Sequence, residues 1–239
     1  MNIAMLMMAG VGSRFGADIP KQFIEIGDMP VFCYVLNAYD RDDVIDGIVI
    51  VTNETWISYV EEWAGKLGIH KLLSVTAGGD TRSESVKNGL LSIHETASEE
   101  DVIMIHDITH PYMDREGNKK IVEAVKEFGG ATLGQRQYDT VYQMNAETHM
   151  LERVVPRETI VSGASPEAFR YGDLYRIYTE ASQEELASMT SAGAIALHYG
   201  IPMKVIEAKV INLKITYQND MVTLKELMHM YFPDQYKEK

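Results

Sequence analysis

The sequence predicts an α/β fold in which a mostly parallel sheet is covered by helices on both faces. Short β-branched and apolar runs alternate with longer amphipathic stretches, the pattern of repeated strand–helix–strand units. The runs are apolar throughout and do not alternate with polar residues, which is typical of strands buried on both faces. No linker interrupts the 239 residues, so we expect one domain over residues 1–239.

Five strands and the helices between them are predicted in the first part of the chain. The apolar start is too short for a membrane helix and lacks a basic leader region, which favours a buried strand. The strands are expected at Asn2–Met8, Gly47–Thr52, Lys71–Ala77, Val102–His106 and Ala131–Gln135. The helices are expected at Val31–Tyr39, Glu54–Leu67, Arg82–His94 and Lys119–Phe128. Ligands of such sheets bind beyond the carboxyl ends of the strands, so we expect the chemistry in the loops that follow them.

The pattern changes at about residues 137–161, where two strand-like segments flank the polar turn Met144–Met150. This change predicts a projecting β-hairpin arm, which suits contact with a partner but equally packing on its own domain. After the arm, the sequence predicts helices at Pro166–Thr179 and Glu184–Tyr199, strands at Met203–Glu207 and Ile211–Thr216, and a last helix at Val222–Tyr231.

The composition excludes several classes of partner. With 22 Lys and Arg against 35 Asp and Glu, the formal net charge is −13, which disfavours a surface for nucleic acid or for an anionic membrane. A phosphate substrate must therefore meet a local cluster of cations. The single cysteine, Cys33, excludes an internal disulfide, and no segment has the length of a membrane helix. We expect a soluble, cytoplasmic protein.

A glycine-rich loop follows the first strand and precedes Lys21. Its glycines allow a tight turn and a close approach of backbone N–H groups to phosphate oxygens. The loop lacks Gly-Lys-Ser/Thr, and with Phe15 in place its third glycine falls one residue late for a dinucleotide fingerprint. Arg14 and Lys21 instead supply two cations, which suit a triphosphate that gains charge in a transition state. The alternative is a structural turn beside two surface cations.

A series of short motifs resembles one enzyme family. The motifs are AGVGSRFGADIPKQF at 9–23, GGDTRSESVKNGL at 78–90, HDITHP at 106–111, DT at 139–140, Arg157, ASPEAF at 164–169 and NLKIT at 212–216. They resemble those of the cytidylyltransferases that make CDP-linked polyols, namely the methylerythritol-phosphate cytidylyltransferase of isoprenoid synthesis and its ribitol-phosphate relatives. Each motif is weak alone, but their order and spacing extend over nearly the whole chain. The resemblance implies a Rossmann-like domain that transfers CMP from CTP to a polyol phosphate.

The resemblance also implies which residues hold the nucleotide. The first loop would cradle the triphosphate, and Arg14, Lys21 and Lys214 would be catalytic, neutralising the reacting phosphates. The implied nucleotide contacts are Ala9, Gly10, Gly12, Ser13, Gly79, Asp80, Arg82 and Ser85.

The resemblance further implies which residues bind the acceptor. Asp107 would serve the acceptor and a Mg²⁺ ion, and Thr140 and Arg157 of the arm would reach the acceptor phosphate across a homodimer interface. The implied acceptor contacts are Asp107, His110, Thr140, Arg157 and Ser165. A single carboxylate suffices, because Mg²⁺ commonly binds through substrate phosphates and only one or two protein carboxylates.

Three positions depart from the family's usual pattern, and all lie in segments that the family uses around the acceptor. His110 stands where an Arg is usual, Glu167 stands where a Gln is usual, and Ser191 follows Thr190 where an Asp is usual. We interpret the chain as an enzyme that keeps the CTP donor and has a changed or loosened acceptor preference. Neutral drift and a partly decayed enzyme remain alternatives, as does a protein that binds CTP or CDP for regulation without transferring it.

Two other functions are disfavoured by the sequence. His106 and His110 flank Asp107, but a strand before them and Pro111 after them do not put them on one helical face, which disfavours a zinc site. A nicotinamide-linked dehydrogenase is disfavoured by the misplaced third glycine.

Overall fold

The computed structural model describes residues 1–10, 15–16 and 19–237 of the chain. The strands are β1 (Asn2–Met8), β2 (Glu25–Ile26), β3 (Met29–Pro30), β4 (Gly47–Thr52), β5 (Leu72–Ala77), β6 (Val102–Asp107), β7 (Gly130–Arg136), β8 (Val141–Met144), β9 (Leu151–Val155), β10 (Val161–Arg170) and β11 (Met203–Glu207). The helices are α1 (Val31–Asp40), α2 (Ile57–Leu67), α3 (Arg82–Leu91), α4 (Arg115–Phe128), α5 (Tyr171–Glu180), α6 (Gln183–Ala187), α7 (Ala192–His198) and α8 (Asp220–Tyr231). Short 3₁₀ helices lie at Lys21–Phe23, Glu54–Trp56 and Arg157–Thr159.

Within the described residues, seven strands form the main sheet in the order β11-β7-β10-β6-β1-β4-β5. The pairs β1–β4, β1–β6, β4–β5 and β7–β11 are parallel, whereas β10 runs antiparallel to both of its neighbours, β6 and β7. The mostly parallel α/β sheet that the sequence predicts is therefore confirmed.

An apolar core lies on each face of the sheet, and β1 contributes to both. Ala4 and Leu6 face one core, which α1, α2, α4 and α8 cover. Ile3 and Met5 face the other core, which is covered by α3, α5, α6 and α7. Because each side chain of this kind contributes about 1.5–3 kcal/mol when fully buried, the unbroken apolar character of β1 follows from its two covered faces.

Three predicted elements of the second half are wrong. The helix predicted at Pro166–Thr179 begins only at Tyr171, because Pro166–Arg170 completes β10 in the middle of the sheet. The segment Ile211–Thr216 is not a strand. The helix predicted at Glu184–Tyr199 is divided into α6 and α7, since the side chain of Ser191 accepts a hydrogen bond from the Ala194 N–H and starts a new helix.

The predicted β-hairpin is confirmed. Among the described residues, β8 and β9 pair only with each other, in an antiparallel register that aligns Val141 with Val155. Several large apolar side chains of this arm are exposed, namely Tyr142, Met144, Met150, Leu151 and Val154. Elsewhere, none of the helices among the described residues combines the length and apolarity needed to cross a membrane.

Candidate active site

A cleft of about 570 Å³ opens at the carboxyl ends of β1, β5 and β6. Nine of the predicted site residues line it, namely Ala9, Gly10, Lys21, Gly79, Asp80, Arg82, Ser85, Asp107 and Lys214. The predicted residues Gly12, Ser13 and Arg14 lie outside the described part of the chain. Residues that the sequence did not single out also line the cleft, namely Gln22, Asn53, Thr81, Thr109 and Thr216.

Gln22 fixes the start of the first loop. Its side chain is almost fully buried, and Nε2 donates to the carbonyl oxygens of Met8 (2.7 Å) and Gly10 (3.1 Å). The adjacent Phe23 ring is stacked on Trp56 at 4.1 Å between centroids, which anchors the short helix that carries Lys21. The sequence signal for Gln22 was its place between Lys21 and the apolar Phe23, where an uncharged amide is suited to burial with its donors satisfied.

The turn between β5 and α3 forms the opposite wall. Thr81 and Glu84 make a reciprocal capping box, and the Gly79 N–H donates to the Ser85 hydroxyl oxygen at 3.1 Å. A Cβ at Gly79 would lie 2.4 Å from Cβ of Glu84, so only glycine permits this close approach of the loop to the helix. The first turn of α3, with its positive end, therefore faces the cleft in a fixed position.

Lys21 and Lys214 reach the cleft from distant parts of the chain. Lys21 Nζ donates to the carbonyl oxygen of Ile215, and the Ile215 N–H donates to the carbonyl oxygen of Thr109 at 2.7 Å. These two bonds hold the segment that carries Lys214 against the loop that follows β6. Both lysines thereby lie on the same cleft as Asp107.

Asp107 at the end of β6 is paired with Arg82 at the start of α3. Arg82 Nη2 lies 3.2 Å from Asp107 Oδ1 and 3.7 Å from Glu167 Oε2. Burial alone would raise the pKa of Asp107, but the charges of Arg82 and Lys214 outweigh it and lower the pKa below its usual value. Asp107 is therefore an ionised carboxylate at neutral pH.

His106 and His110 lie behind the cleft, not on its lining. His106 Nε2 donates to the His110 carbonyl oxygen at 2.8 Å, so Nδ1 accepts from the Tyr39 hydroxyl at 2.9 Å. Burial lowers the pKa of each histidine to about 4, which leaves both rings neutral at pH 7. The described residues contain no group of three or more His, Cys, Asp or Glu side chains that could hold a metal ion.

The other predicted acceptor residues are not on the cleft of their own chain. Ser165 is buried, and its backbone N–H donates to the Tyr112 hydroxyl oxygen at 3.2 Å. Thr140 and Arg157 lie exposed at the base of the arm, where Arg157 donates to the carbonyl oxygen of Tyr138. Contact of these residues and of His110 with an acceptor stays a prediction.

The sequence matches one known protein family over nearly its whole length. The family model for 2-C-methyl-D-erythritol 4-phosphate cytidylyltransferase matches residues 2–229. The chain belongs to this family. It is 32% identical to the enzyme of that name from Thermotoga neapolitana, over 92% of this chain and 94% of the relative. It is also 29% identical to a ribitol-5-phosphate cytidylyltransferase from Vibrio parahaemolyticus, over 95% of this chain and 96% of the relative.

Solved structures of the family share the fold. A crystal structure of 4-diphosphocytidyl-2C-methyl-D-erythritol synthase superposes with a TM-score of 0.76 at 25% identity, covering 95% of this chain and 98% of the other. The corresponding structure from Anaerococcus prevotii has a TM-score of 0.78 at 20% identity, covering 96% of each chain. These structures therefore have the same fold as this chain.

Proposed function

We propose that this protein transfers the cytidylyl group of CTP to a polyol phosphate and releases pyrophosphate. The observation that carries the proposal is the convergence of Lys21, Lys214 and an ionised Asp107 on one cleft beside Gly10 and Gly79. Family membership supports the same reaction class.

The reaction needs charge neutralisation more than it needs a base. The attacking group is the phosphate of the acceptor, whose second pKa is about 6, so it is largely dianionic at neutral pH. Among the described residues, the cleft lining contains neither histidine nor cysteine, in keeping with a nucleophile that the substrate itself supplies. The oxygen of the acceptor phosphate attacks the α-phosphorus of CTP, and the bond to the pyrophosphate oxygen breaks.

The proposed roles of the cations follow from the charge that develops. The α-phosphate gains negative charge as it becomes five-coordinate, and Lys21 and Lys214 lie where they can neutralise it. Arg14, predicted from the sequence for the same role, belongs to the first loop. Gly10, Gly79 and the first turn of α3 supply backbone N–H groups and a positive helix end to the nucleotide.

Asp107 fits a Mg²⁺ ion. It lines the cleft as an ionised carboxylate, a hard oxygen ligand of the kind that Mg²⁺ prefers. Asp107 and the substrate phosphates would hold the ion, which would supply further charge neutralisation. Arg82 and Lys214 keep the carboxylate ionised for that purpose.

The acceptor is proposed as 2-C-methyl-D-erythritol 4-phosphate or D-ribitol 5-phosphate, since relatives named for each lie at similar identity. Pyrophosphate release from CTP, measured with a panel of polyol phosphates, tests the reaction and selects the acceptor. Release with one of them is expected. Tight CTP binding without release for any acceptor would instead favour a regulatory CTP-binding protein, the function that the neutral His110 motivates.

We further propose a homodimer formed through the arm, in the cytoplasm. The exposed apolar side chains of β8 and β9 support a covered surface, because a hairpin that pairs only with itself has little stability in water. Thr140 and Arg157 lie at the base of this arm and off the cleft of their own chain, which supports a role in the neighbouring subunit's site. The buried free thiol of Cys33 suits a reducing compartment.

A further inference from the structure

Glu167 lies behind the cleft wall, on the strand inserted between β6 and β7. Its neighbours in the sheet are Ile105 of β6 and Thr132 of β7. Its side chain is about four-fifths buried, with 19% exposed. Oε1 accepts a hydrogen bond from the Gly193 N–H in α7 at 3.1 Å, and Oε2 faces Arg82 at 3.7 Å.

The start of α7 is shaped to receive this carboxylate. A Cβ at position 193 would lie 2.6 Å from Glu167 Oε1, so a side chain there would displace the carboxylate from its present position. Burial and the charge of Asp107 raise the pKa of Glu167 above its usual value, and Arg82, the Gly193 N–H and the Ser191 hydroxyl offset this only in part. The carboxylate is therefore held from α3 and from α7 together.

Glu167 and Asp107 share one guanidinium. Arg82 Nη2 lies between the two carboxylates, 3.2 Å from Asp107 Oδ1 and 3.7 Å from Glu167 Oε2. Glu167 Oε2 is buried and has no hydrogen-bond partner among the described residues, so Arg82 is what compensates its charge. Moving Arg82 away would leave a buried acid uncompensated, which is costly. Glu167 thus restrains Arg82 at the wall of the cleft.

Ser191 lies beside this contact. It caps the first turn of α7, whose Gly193 N–H binds Glu167, and its hydroxyl also interacts with the Glu167 carboxylate. A carboxylate placed at position 191 would therefore lie in the same neighbourhood as that of Glu167.

We propose that Glu167 is a positioning residue of the active site, which fixes Arg82 against Asp107. The role in turnover rests on the function proposed above. Glu167 does not line the cleft itself, and it acts through Arg82.

A charge-relocation cycle tests the proposal. Glu167→Gln keeps an oxygen for the Gly193 N–H but removes the charge. We expect kcat/KM to fall about tenfold and the Kd for CTP to rise, because Arg82 is one of the predicted nucleotide contacts. Adding Ser191→Asp should restore most of the loss, since Asp also caps a helix N-terminus and returns a carboxylate. Glu127→Gln, on the exposed face of α4, is the matched control and should match the parent.

A second variant displaces the carboxylate without changing any charge. Gly193→Ala places a methyl group against Glu167 Oε1 and should reproduce the loss in kcat/KM, although alanine favours the helix itself. Parent-like kcat/KM in Glu167→Gln would overturn the proposal, and so would a loss that Ser191→Asp leaves in place. A residue with only a structural role would lower the melting temperature and leave kcat/KM of the folded fraction unchanged.

The side-chain Nε–H signal of Arg82, observed by ¹⁵N NMR, tests the position of Arg82 without depending on turnover. The signal, assigned with Arg82→Lys, should be sharp in the parent, broadened in Glu167→Gln and sharp again in the double variant. An unchanged signal in Glu167→Gln would refute the positioning of Arg82. Absent turnover in the parent, with the NMR pattern intact, would refute the reaction and leave the positioning supported.

Discussion

Lys21 Nζ donates a hydrogen bond to the backbone carbonyl oxygen of Ile215, a residue 194 positions later in the chain. The contact joins the short 3₁₀ helix Lys21–Phe23 to the segment that carries Lys214. The Ile215 N–H in turn donates to the carbonyl oxygen of Thr109, two residues after Asp107. Hydrogen bonds to Ile215 therefore connect three regions of the cleft. The positions of the two proposed catalytic lysines are therefore coupled through the backbone and not only through substrate.

Removing either lysine should cost turnover. Lys21→Ala and Lys214→Ala are each expected to lower kcat by about two to three orders of magnitude, the usual cost of losing one transition-state charge donor. Lys225→Ala, on the exposed surface of α8, serves as the control and should match the parent in a pyrophosphate-release assay. Near-parent kcat in Lys214→Ala, with normal circular dichroism, would remove that residue from the proposed mechanism.

A charge placed on the arm should separate the subunits. Val154 on β9 is 62% exposed, and Val154→Lys would put an ammonium group into the apolar surface that we propose to be covered. We expect a monomer by light scattering and loss of acceptor turnover. Val222→Lys is a matched control, because Val222 is 66% exposed on α8. A parent that is itself monomeric at micromolar concentration would contradict the dimer.

Mixing two inactive chains tests whether the arm completes the neighbouring site. In a mixed dimer of Lys21→Ala and Arg157→Ala chains, one site combines an intact Lys21 with an intact Arg157 from the other chain. Random reassortment of such symmetric dimers should recover about a quarter of the parent activity. No recovery in dimers shown by mass spectrometry to be mixed would mean that Arg157 does not act across the interface.

The elements that could be predicted from the sequence are those whose own residues carry a clear hydrophobic pattern. β1, β4 and β6 are apolar on both faces, so their strand character follows from the sequence alone. β10 was missed because Glu167 and Phe169 form a strand only by pairing with Ile105 and Ile103, which lie far away in the chain. That pairing outweighs the helical pattern that resumes at Tyr171.

In the candidate site, too, the residues with a local sequence pattern were predicted and those that depend on distant contacts were missed. The glycine turns and Lys21 were predicted because motif spacing and residue type identify them. Ile211–Thr216 appeared to be a strand, but the backbone of Ile215 is bonded to Lys21 and Thr109, a long-range arrangement that no local pattern encodes. The partnership of Arg82 with Glu167 was missed for the same reason, since it requires α3 to meet β10.

Gly79 should not tolerate a side chain. A methyl group at this position meets Glu84 Cβ at 2.4 Å, an atom fixed by the helix backbone, so Gly79→Ala should force the turn to shift. We expect a loss of about 1–3 kcal/mol in the free energy of unfolding and weaker CTP binding by calorimetry. Gly65→Ala in α2 meets nothing within 4 Å and should be neutral or stabilising. Equal behaviour of the two variants would contradict the close-approach argument.

Acid should destabilise the protein through His106. Burial holds its folded-state pKa at about 4, whereas the unfolded chain titrates near 6.5, so between these values the unfolded state binds more protons. The stabilisation is fully present above pH 6.5 and is lost as the pH falls towards 4, on the order of 3 kcal/mol for this residue. His110, with a pKa also about 4, adds an effect of the same sign.

Urea denaturation at a series of pH values measures this dependence. His106→Gln removes the titrating ring and should lower the free energy of unfolding at pH 7, because Gln cannot serve both Tyr39 and the His110 carbonyl oxygen. The slope of that free energy against pH between 4 and 6.5 should nevertheless become flatter. His70→Gln, whose side chain is 88% exposed, should keep the parent slope. The His106 ring stays neutral in the folded state and takes up a proton on unfolding, which is what makes the free energy of unfolding depend on pH. If His106→Gln keeps the parent slope, other groups must cause the loss of stability in acid.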